Sequence, residues 1–231
     1  MLGLGKLQSG IRLAGTALPF NTLRVAAAWL GGVKVAATAR LGRGARISRG
    51  CVIGPRCHVG QRAVLDDLVL EEGCTIGDFA RLARLRAGEG THIETNVLCI
   101  GARPGRITIG RQCYVGVGAL LDFSSAMTIG DFVHIAGPPA AIHTHSSVPM
   151  ALKGCRMDQD GRQYGEVRVG SHTWIGGNVA IYPGTTIGDH CVVLPNSVVT
   201  ANVESHTMVG GVPARLVRRI TLEEGRITFT K

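Results

Sequence analysis

Aliphatic residues recur at every sixth position over long stretches of this chain. The repeat is carried by Val35, Leu41, Ile47, Ile53, Val59 and Leu65, by Ile109, Val115, Leu121, Ile129 and Ile135, and by Val169, Ile175, Ile181, Ile187, Val193 and Val199. An α-helix would space apolar residues three and four apart, and a flat strand would alternate them in steps of two. A period of six predicts a parallel β-helix, in which each hexad is one short strand plus a turn.

The other hexad positions support this interpretation. Glycine often follows the aliphatic residue, as at Gly54 and Gly60, and permits tight corners and close approach between coils. The fifth position is small and able to turn inward. It holds five of the seven cysteines, namely Cys51, Cys57, Cys74, Cys113 and Cys191. We interpret these as packing residues in a reducing compartment, not as a disulfide framework or a metal site.

The chain is basic, with 25 lysines and arginines against 16 acidic residues. A net charge of +9 suits nucleic acid, acidic membrane lipid or a phosphate-rich cofactor. No Lys/Arg block is long enough to form a nucleic-acid-binding arm, so we do not expect a nucleic-acid partner. The net charge remains compatible with either acidic membrane lipid or a phosphate-rich cofactor as the partner.

Three segments can be distinguished along the chain. Residues 1–34 lack the hexad repeat, and the alanine-rich run 23–32 favours a helix that caps the first coil of a solenoid spanning residues 35–204. An alternative is that residues 1–34 rest on the inner membrane surface. No apolar stretch is long enough to span a bilayer and no signal peptide is evident, so we expect a cytoplasmic protein. Residues 205–231 form a C-terminal tail.

A protruding loop, residues 143–166, interrupts the repeat and begins with two histidines. His143 and His145 are two positions apart, which places both side chains on the same side of an extended segment. A histidine near neutral pKa is suited to remove a proton from a hydroxyl group. The competing interpretation is a pair of solvated loop histidines. A metal site is not expected, because no cysteine or carboxylate cluster accompanies them.

Two motifs carry a resemblance to a known family. The segment 173–188 (TWIGGNVAIYPGTTIG) and the segment 211–215 (GVPAR) resemble the hexapeptide-repeat acyltransferases, in particular the sugar O-acetyltransferases. The resemblance covers residues 33–220. It implies a left-handed, all-β parallel β-helix and a homotrimer with active sites between neighbouring subunits. It also implies acetyl-CoA as the acyl donor and a sugar as the acceptor.

The resemblance implies roles for individual residues as well. His145 is the expected catalytic base, with His143 in reserve. The backbone N–H of Gly177 is expected to stabilise the oxyanion of the tetrahedral intermediate. The other expected positions are Trp174 beside the active site, Pro195, Ser197 and Thr200 along the pantetheine arm of coenzyme A, Arg215 and Arg218 at its phosphates, and Asp122 at the acceptor site.

The chain departs from the family pattern at three places. Ala201 replaces a lysine that often contacts phosphate, glycines around 116–118 replace an acceptor-site asparagine, and residues 137–140 read GPPA instead of GPNV. The acceptor therefore need not be a free galactoside or maltose.

These features predict an acetyl-CoA-dependent O-acetyltransferase acting on a sugar hydroxyl, in cell-surface polysaccharide or glycoconjugate modification. Two alternatives stay open at this point. One is N-acyl transfer to an amino sugar, and the other is a non-catalytic β-helix that serves as an assembly subunit.

Overall fold

A computed structural model describes residues 18–223 and 226–230, and most of them wind into coils of short parallel strands. Each coil places one strand on each of three faces, and on each face the strands of successive coils pair in parallel. The predicted fold class, an all-β left-handed parallel β-helix, is confirmed.

The strands can be assigned to faces from their pairing. The first face holds β1 (Lys34–Val35), β4 (Val52–Ile53), β11 (Ile107–Ile109), β14 (Met127–Ile129), β19 (Val167–Val169) and β22 (Thr186–Ile187). The second face holds β2 (Arg40–Leu41), β5 (His58–Val59), β7 (Thr75–Ile76), β9 (His92–Ile93), β12 (Tyr114–Val115), β15 (His134–Ile135), β20 (Trp174–Ile175), β23 (Val192–Val193) and β25 (Thr207–Gly210). The third face holds β3 (Arg46–Ile47), β10 (Leu98–Ile100), β13 (Leu120–Asp122), β16 (Ala141–Ile142), β21 (Ala180–Ile181) and β24 (Val198–Val199). Two longer strands, β6 (Val64–Leu70) and β8 (Arg81–Ala87), run from the third face into the first.

The repeated aliphatic residues form the core. In-register pairing stacks them directly, for example Ile109 on Ile129 and Ile129 on Val169, so that each coil buries its apolar residues against the next. Glycine is required where consecutive corners meet, because a Cβ added at Gly60 would lie 2.5 Å from the backbone nitrogen of Asp78. The five cysteines predicted to point inward are all buried.

Two helices flank the coils. Helix α1 (Asn21–Leu30) covers the open edge of the first coil, close to the predicted helical run, and buries Val25 and Ala28 against it. Helix α2 (Val148–Lys153) lies in the protruding loop and ends at Gly154, which adopts the left-handed conformation. Neither these nor any other helix in the described part of the chain is long and apolar enough to cross a membrane.

The C-terminal segment is more regular than the predicted tail. Strand β26 (Arg215–Glu223) pairs antiparallel with β25, and β27 (Arg226–Thr230) pairs antiparallel with β26. The polypeptide therefore leaves the parallel repeat as a hairpin that extends the second face.

Candidate active site

His145 lies where the chain leaves the solenoid. Strand β16 ends at Ile142. After two intervening residues, β17 (His145–Ser146) pairs antiparallel with β18 (Gln163–Tyr164), the returning end of the protruding loop. The backbone N–H of Gly165 donates to the carbonyl of Thr144 at 3.0 Å, which closes the base of the loop. The histidine thus lies on a short, hydrogen-bonded ribbon.

The imidazole of His145 is paired with a buried carboxylate. Its Nδ1 lies 2.6 Å from Oδ2 of Asp122, whose side chain has no exposed surface, while 21% of the His145 side chain remains exposed. Asp122 is ionised and can only accept, so Nδ1 carries the proton that is shared with it. Nε2 then holds the lone pair, and it makes no hydrogen bond to any other described residue. This is the tautomer that a general base requires.

Asp122 is held by donors on both oxygens. Oδ1 accepts from the backbone N–H of Ser124 at 2.8 Å and from its hydroxyl at 2.5 Å. Oδ2 accepts from the backbone N–H groups of Thr144 and His145 at 2.8 and 3.0 Å. Burial by itself raises the pKa of Asp122, but the bonds from Ser124, His145 and Thr144 outweigh it and hold the pKa below its ordinary value. Asp122 was predicted to contact the acceptor, and its complete burial gives the carboxylate no surface for such a contact.

His143 occupies the neighbouring corner and is partly buried. Its backbone N–H donates to the carbonyl of Ile181 at 2.9 Å, so the residue still belongs to the solenoid. Burial lowers the pKa of His143, the charge of Asp122 raises it and His145 lowers it further, and the net effect is a decrease. No described carboxylate forms a hydrogen bond with its ring, in contrast to His145.

Trp174, in β20 of the second face, and Gly177, in the turn after β20, are separated from the histidines by the third face. Gly177 is in the turn before β21, whereas Tyr182 after β21 is level with His143. Tyr182 is five positions after Gly177, with the whole of β21 between them. Within the described residues the N–H of Gly177 donates to no acceptor, and 37% of Trp174 is exposed. Within one chain, Gly177 thus precedes the third face and the two histidines follow it.

A row of side chains on the second face connects Trp174 to the C-terminal hairpin. Trp174 pairs with Val192, Val192 with Met208, and Met208 with Arg218. Since paired residues point to the same side, these four project from one surface, spanning roughly 14 Å over three strand spacings. Residues three apart in a regular strand point to opposite sides, but the pairing register of β25 and β26 shifts between Arg215 and Arg218. Arg215 therefore pairs with Gly210 and lies on the same surface as Arg218.

Comparison with known proteins identifies the family of this chain. The family model described as bacterial transferase hexapeptide (six repeats) matches residues 166–201. A protein of Escherichia coli K12, provisionally named a lipopolysaccharide biosynthesis O-acetyltransferase, is 30% identical over 152 residues, which cover 54% of this chain and 78% of the relative. The chain belongs to the hexapeptide-repeat acetyltransferases.

Two further acetyltransferases are similar over part of their length. The galactoside O-acetyltransferase of E. coli K12 is 33% identical over 49% of this chain, and the match spans about half (54%) of that relative. A hexapeptide-repeat acetyltransferase from Vibrio cholerae O1 biovar eltor, solved in complex with acetyl coenzyme A, is 27% identical. It aligns with 74% of this chain and 70% of its own, at a TM-score of 0.44.

The remaining predicted residues of this acetyltransferase lie in its last coils. Pro195 is exposed and occupies the corner above Gly177, since Gly176 packs against its ring. Thr200 is exposed at the corner that follows β24. Ser197 is completely buried, and its hydroxyl donates to the carbonyl of Leu194 at 2.6 Å. A contact from Ser197 to a ligand would have to use its backbone.

Sequence reasoning missed the residues that support the base. Ser124 bonds Asp122, and Tyr164 lies beside His145 with ring centroids 6.2 Å apart. The guanidinium carbon of Arg103 lies 3.9 Å from the Tyr164 ring centroid, and its Nε donates to Asp160 at 3.0 Å. Arg103 lies in the insertion between β10 and β11. This insertion and the protruding loop therefore contact each other at Tyr164. The pairing of β13 with β16 could have indicated that Asp122 lies beneath the histidines.

Within the described ranges, no group of three or more histidine, cysteine or carboxylate side chains is arranged to hold a metal ion. The hydrogen bonds described above make the candidate site an acid–base pair of one histidine and one carboxylate with their hydrogen-bonded neighbours.

Proposed function

We propose that this protein is an acetyl-CoA-dependent O-acetyltransferase that acetylates a sugar hydroxyl of a cell-surface polysaccharide or glycoconjugate. The observation that carries the proposal is the 2.6 Å contact between His145 Nδ1 and the buried carboxylate of Asp122. It leaves Nε2 of a partly exposed imidazole free to accept a proton.

The proposed reaction begins with proton transfer to His145. Nε2 accepts the proton of the acceptor hydroxyl as the hydroxyl oxygen attacks the thioester carbonyl carbon. Asp122 stabilises the imidazolium that forms and keeps the ring oriented. Positioned general bases of this kind contribute about 10²–10⁴-fold to rate.

The backbone N–H of Gly177 is proposed to stabilise the oxyanion of the tetrahedral intermediate. A backbone donor without a competing acceptor is suited to this role, because it needs no reorganisation as charge develops. Collapse of the intermediate forms the acetyl ester and breaks the C–S bond. The coenzyme A thiolate then takes the proton from His145, and no acyl-enzyme is formed.

The row from Trp174 to Arg218 is proposed to bind the donor. Trp174 would contact the thioester end, and the guanidinium groups of Arg215 and Arg218 would bind the phosphates at the other end. The row is continuous along one face, which suits an elongated ligand. Pro195 and the corner backbone near Gly177 border it.

We propose a homotrimer, because the two halves of the site lie on different corners of one chain. His145 and Asp122 follow the third face, whereas Trp174 and Gly177 precede it. A neighbouring copy whose Trp174 surface faces His145 would complete the site. Sedimentation of the active protein checks this, and a fully active monomer would refute it.

The acceptor assignment rests on the relatives. One is named for lipopolysaccharide biosynthesis and another for galactoside acetylation, and both names specify transfer to oxygen. Because residues around 116–118 and 137–140 depart from the family pattern, the acceptor need not be a free galactoside or maltose.

Replacing His145 with alanine tests the proposal. We expect kcat for acetyl transfer to fall by about a hundredfold or more, with the Kd for acetyl-CoA nearly unchanged in calorimetry. His58→Ala is a matched control, because His58 is an exposed histidine of the second coil. A larger loss for His143→Ala would assign the base to His143, and full activity of both variants would refute the proposal.

A further inference from the structure

The positive charge of this protein is concentrated at one end. The first 65 residues contain 10 lysines and arginines and no aspartate or glutamate, whereas the remaining 166 contain 15 basic and 16 acidic residues. The net charge of +9 therefore originates in the N-terminal segment and the first coils.

The first coil displays this charge on every face. Lys34, Arg40 and Arg46 are six residues apart and occupy the outward positions of β1, β2 and β3, one on each face. All three are exposed, and none forms an ion pair with a described carboxylate. Arg43 and Arg49 are exposed on the turns between these strands. We call these five residues the basic collar.

Helix α1 lies across the end of the solenoid inside this collar. The side chain of Asn21 donates to the carbonyl of Ala39 at 2.9 Å and accepts from the N–H of Leu41 at 2.8 Å, and Nε of Arg24 donates to the carbonyl of Leu41 at 2.6 Å. These bonds satisfy part of the open edge of the first coil. One side of the helix is thereby fixed to the coil, and the other is turned away from the protein.

The outward side of α1 is apolar. Phe20, Leu23, Ala27 and Leu30 follow each other at spacings of three, four and three, which places them on one stripe. Phe20, Leu23 and Leu30 are 67%, 46% and 91% exposed. A surface helix of a water-soluble domain normally carries polar residues on this side, so the stripe calls for an apolar partner.

Trp29 borders the stripe. It is half exposed, and its indole N–H donates to the carbonyl of Val35 at 2.6 Å. A shallow groove of about 580 Å³ adjoins it, lined by Trp29, by β1 with Lys34, and by β4 with the turn that follows it to Pro55. Tryptophan next to lysine at the edge of an apolar surface is typical of segments at a membrane–water interface.

We propose that this end of the protein binds an anionic phospholipid bilayer, with the α1 stripe among the acyl chains and the basic collar against the lipid phosphates. An apolar stripe surrounded by basic residues matches an anionic bilayer, in which apolar acyl chains lie beneath negatively charged headgroups. A nucleic acid would leave the stripe unpartnered. The sequence already offers the alternative that residues 1–34 contact the membrane, and the α1 stripe is part of that segment. Residues 1–17 lie outside the described part of the chain. Membrane binding at this end does not depend on acetyl transfer.

Vesicle co-sedimentation of the full chain tests it. We expect binding to phosphatidylcholine vesicles that contain 30 mol% phosphatidylglycerol, weakening at high salt, and little binding to pure phosphatidylcholine. Each basic residue near an anionic surface is worth about a fivefold change in partitioning. The variant Lys34→Gln/Arg40→Gln/Arg46→Gln should therefore lose about a hundredfold. Its matched control, Arg156→Gln/Arg168→Gln/Arg226→Gln, removes the same charge from exposed positions elsewhere and should bind nearly as well as the unmodified chain.

The apolar stripe needs a separate variant. Phe20→Ser/Leu23→Ser/Leu30→Ser should weaken binding by about tenfold or more, whereas Leu152→Ser/Met157→Ser, at exposed sites of the protruding loop, should not. All these positions are exposed, and unchanged thermal melting will show that the variants fold. In a Trp174→Phe background Trp29 is the sole tryptophan, and its emission should shift to the blue with anionic vesicles.

Three results would overturn the proposal. One is equal binding to neutral and anionic vesicles. Another is absence of binding to anionic vesicles, in which case concentration-dependent self-association that the serine variant abolishes would identify a second copy as the partner. The third is tight binding to duplex DNA that requires the collar and not the stripe.

Discussion

Replacing Asp122 with asparagine separates the charge of this residue from its shape. The carboxylate accepts five hydrogen bonds, two on Oδ1 from Ser124 and three on Oδ2 from Thr144 and His145. An asparagine whose amide nitrogen faces Ser124 keeps an oxygen toward His145, because the Ser124 hydroxyl can rotate and accept. The backbone N–H of Ser124 then loses its acceptor, and a buried unsatisfied donor costs about 1–3 kcal/mol of stability.

The effect on catalysis follows from the lost charge. Two unit charges about 4 Å apart interact by about 4 kcal/mol at an effective dielectric constant of about 20, and by about 1 kcal/mol in water. The His145 side chain is 21% exposed, which places the pair between these limits. Loss of about 2–3 kcal/mol of stabilisation of the imidazolium should lower kcat about 30- to 150-fold. The Kd for acetyl-CoA should be unchanged, since Asp122 is buried away from the donor surface.

The assay follows release of the coenzyme A thiol with a sugar acceptor, at a temperature well below the melting point of each variant. Ser124→Ala is the matched control, because it removes a donor to Oδ1 and a hydroxyl 3.1 Å from His145 Nδ1, but keeps the charge of Asp122 and its contact with His145. If Asp122 acts through His145, the double variant Asp122→Asn/His145→Ala should be no slower than His145→Ala alone. A folded Asp122→Asn protein with kcat within threefold of the unmodified enzyme, or fully additive losses, would refute the reasoning.

Two further predictions concern other parts of the chain. Replacing Arg215 and Arg218 with alanine should raise the KM for acetyl-CoA about tenfold or more with kcat little changed, whereas Arg219→Ala, which removes a partner of Glu204, should not. Equal losses for full-length donor and for a pantetheine thioester would contradict a phosphate contact. The pKa of His190 is lowered by burial and by the stacked rings of His172 and His206, so its protonation opposes folding and stability should decline as the pH falls below 6.5. His190→Gln should flatten the melting temperature between pH 7 and 5, and an unchanged profile would contradict this assignment.

The solenoid was predictable because its contacts are local. Each inward residue pairs with its counterpart one coil later, so the order of the chain and the order in space coincide, and the period of six stays visible. The C-terminal hairpin obeys a different rule. Residues 215–223 pair antiparallel with segments on both sides, and the long alternation of an exposed hairpin carries no hexad signal. It was therefore interpreted as a tail.

The candidate site was predictable only in part, for a related reason. His145 was identified because the repeat stops there. Its partner Asp122 lies 23 residues earlier and its neighbour Tyr164 lies across the loop, so both depend on how the insertion folds back. Arg215 and Arg218 share a surface only because of the register shift in β26. Their spacing of three residues would by itself predict opposite sides of a strand.

The distribution of charge separates two interpretations that composition alone left open. The net charge of +9 suited either a phosphate-rich donor or acidic lipid. The collar and the arginines of β26 lie at opposite ends of the stack, more than about 30 Å apart at one strand spacing per coil. The screening length at physiological salt is about 8 Å, so the collar contributes almost nothing to binding of a phosphate near Arg215. If the first coil rests on a bilayer, the end that carries Arg215 and Arg218 faces away from the membrane, where a donor can enter from solution.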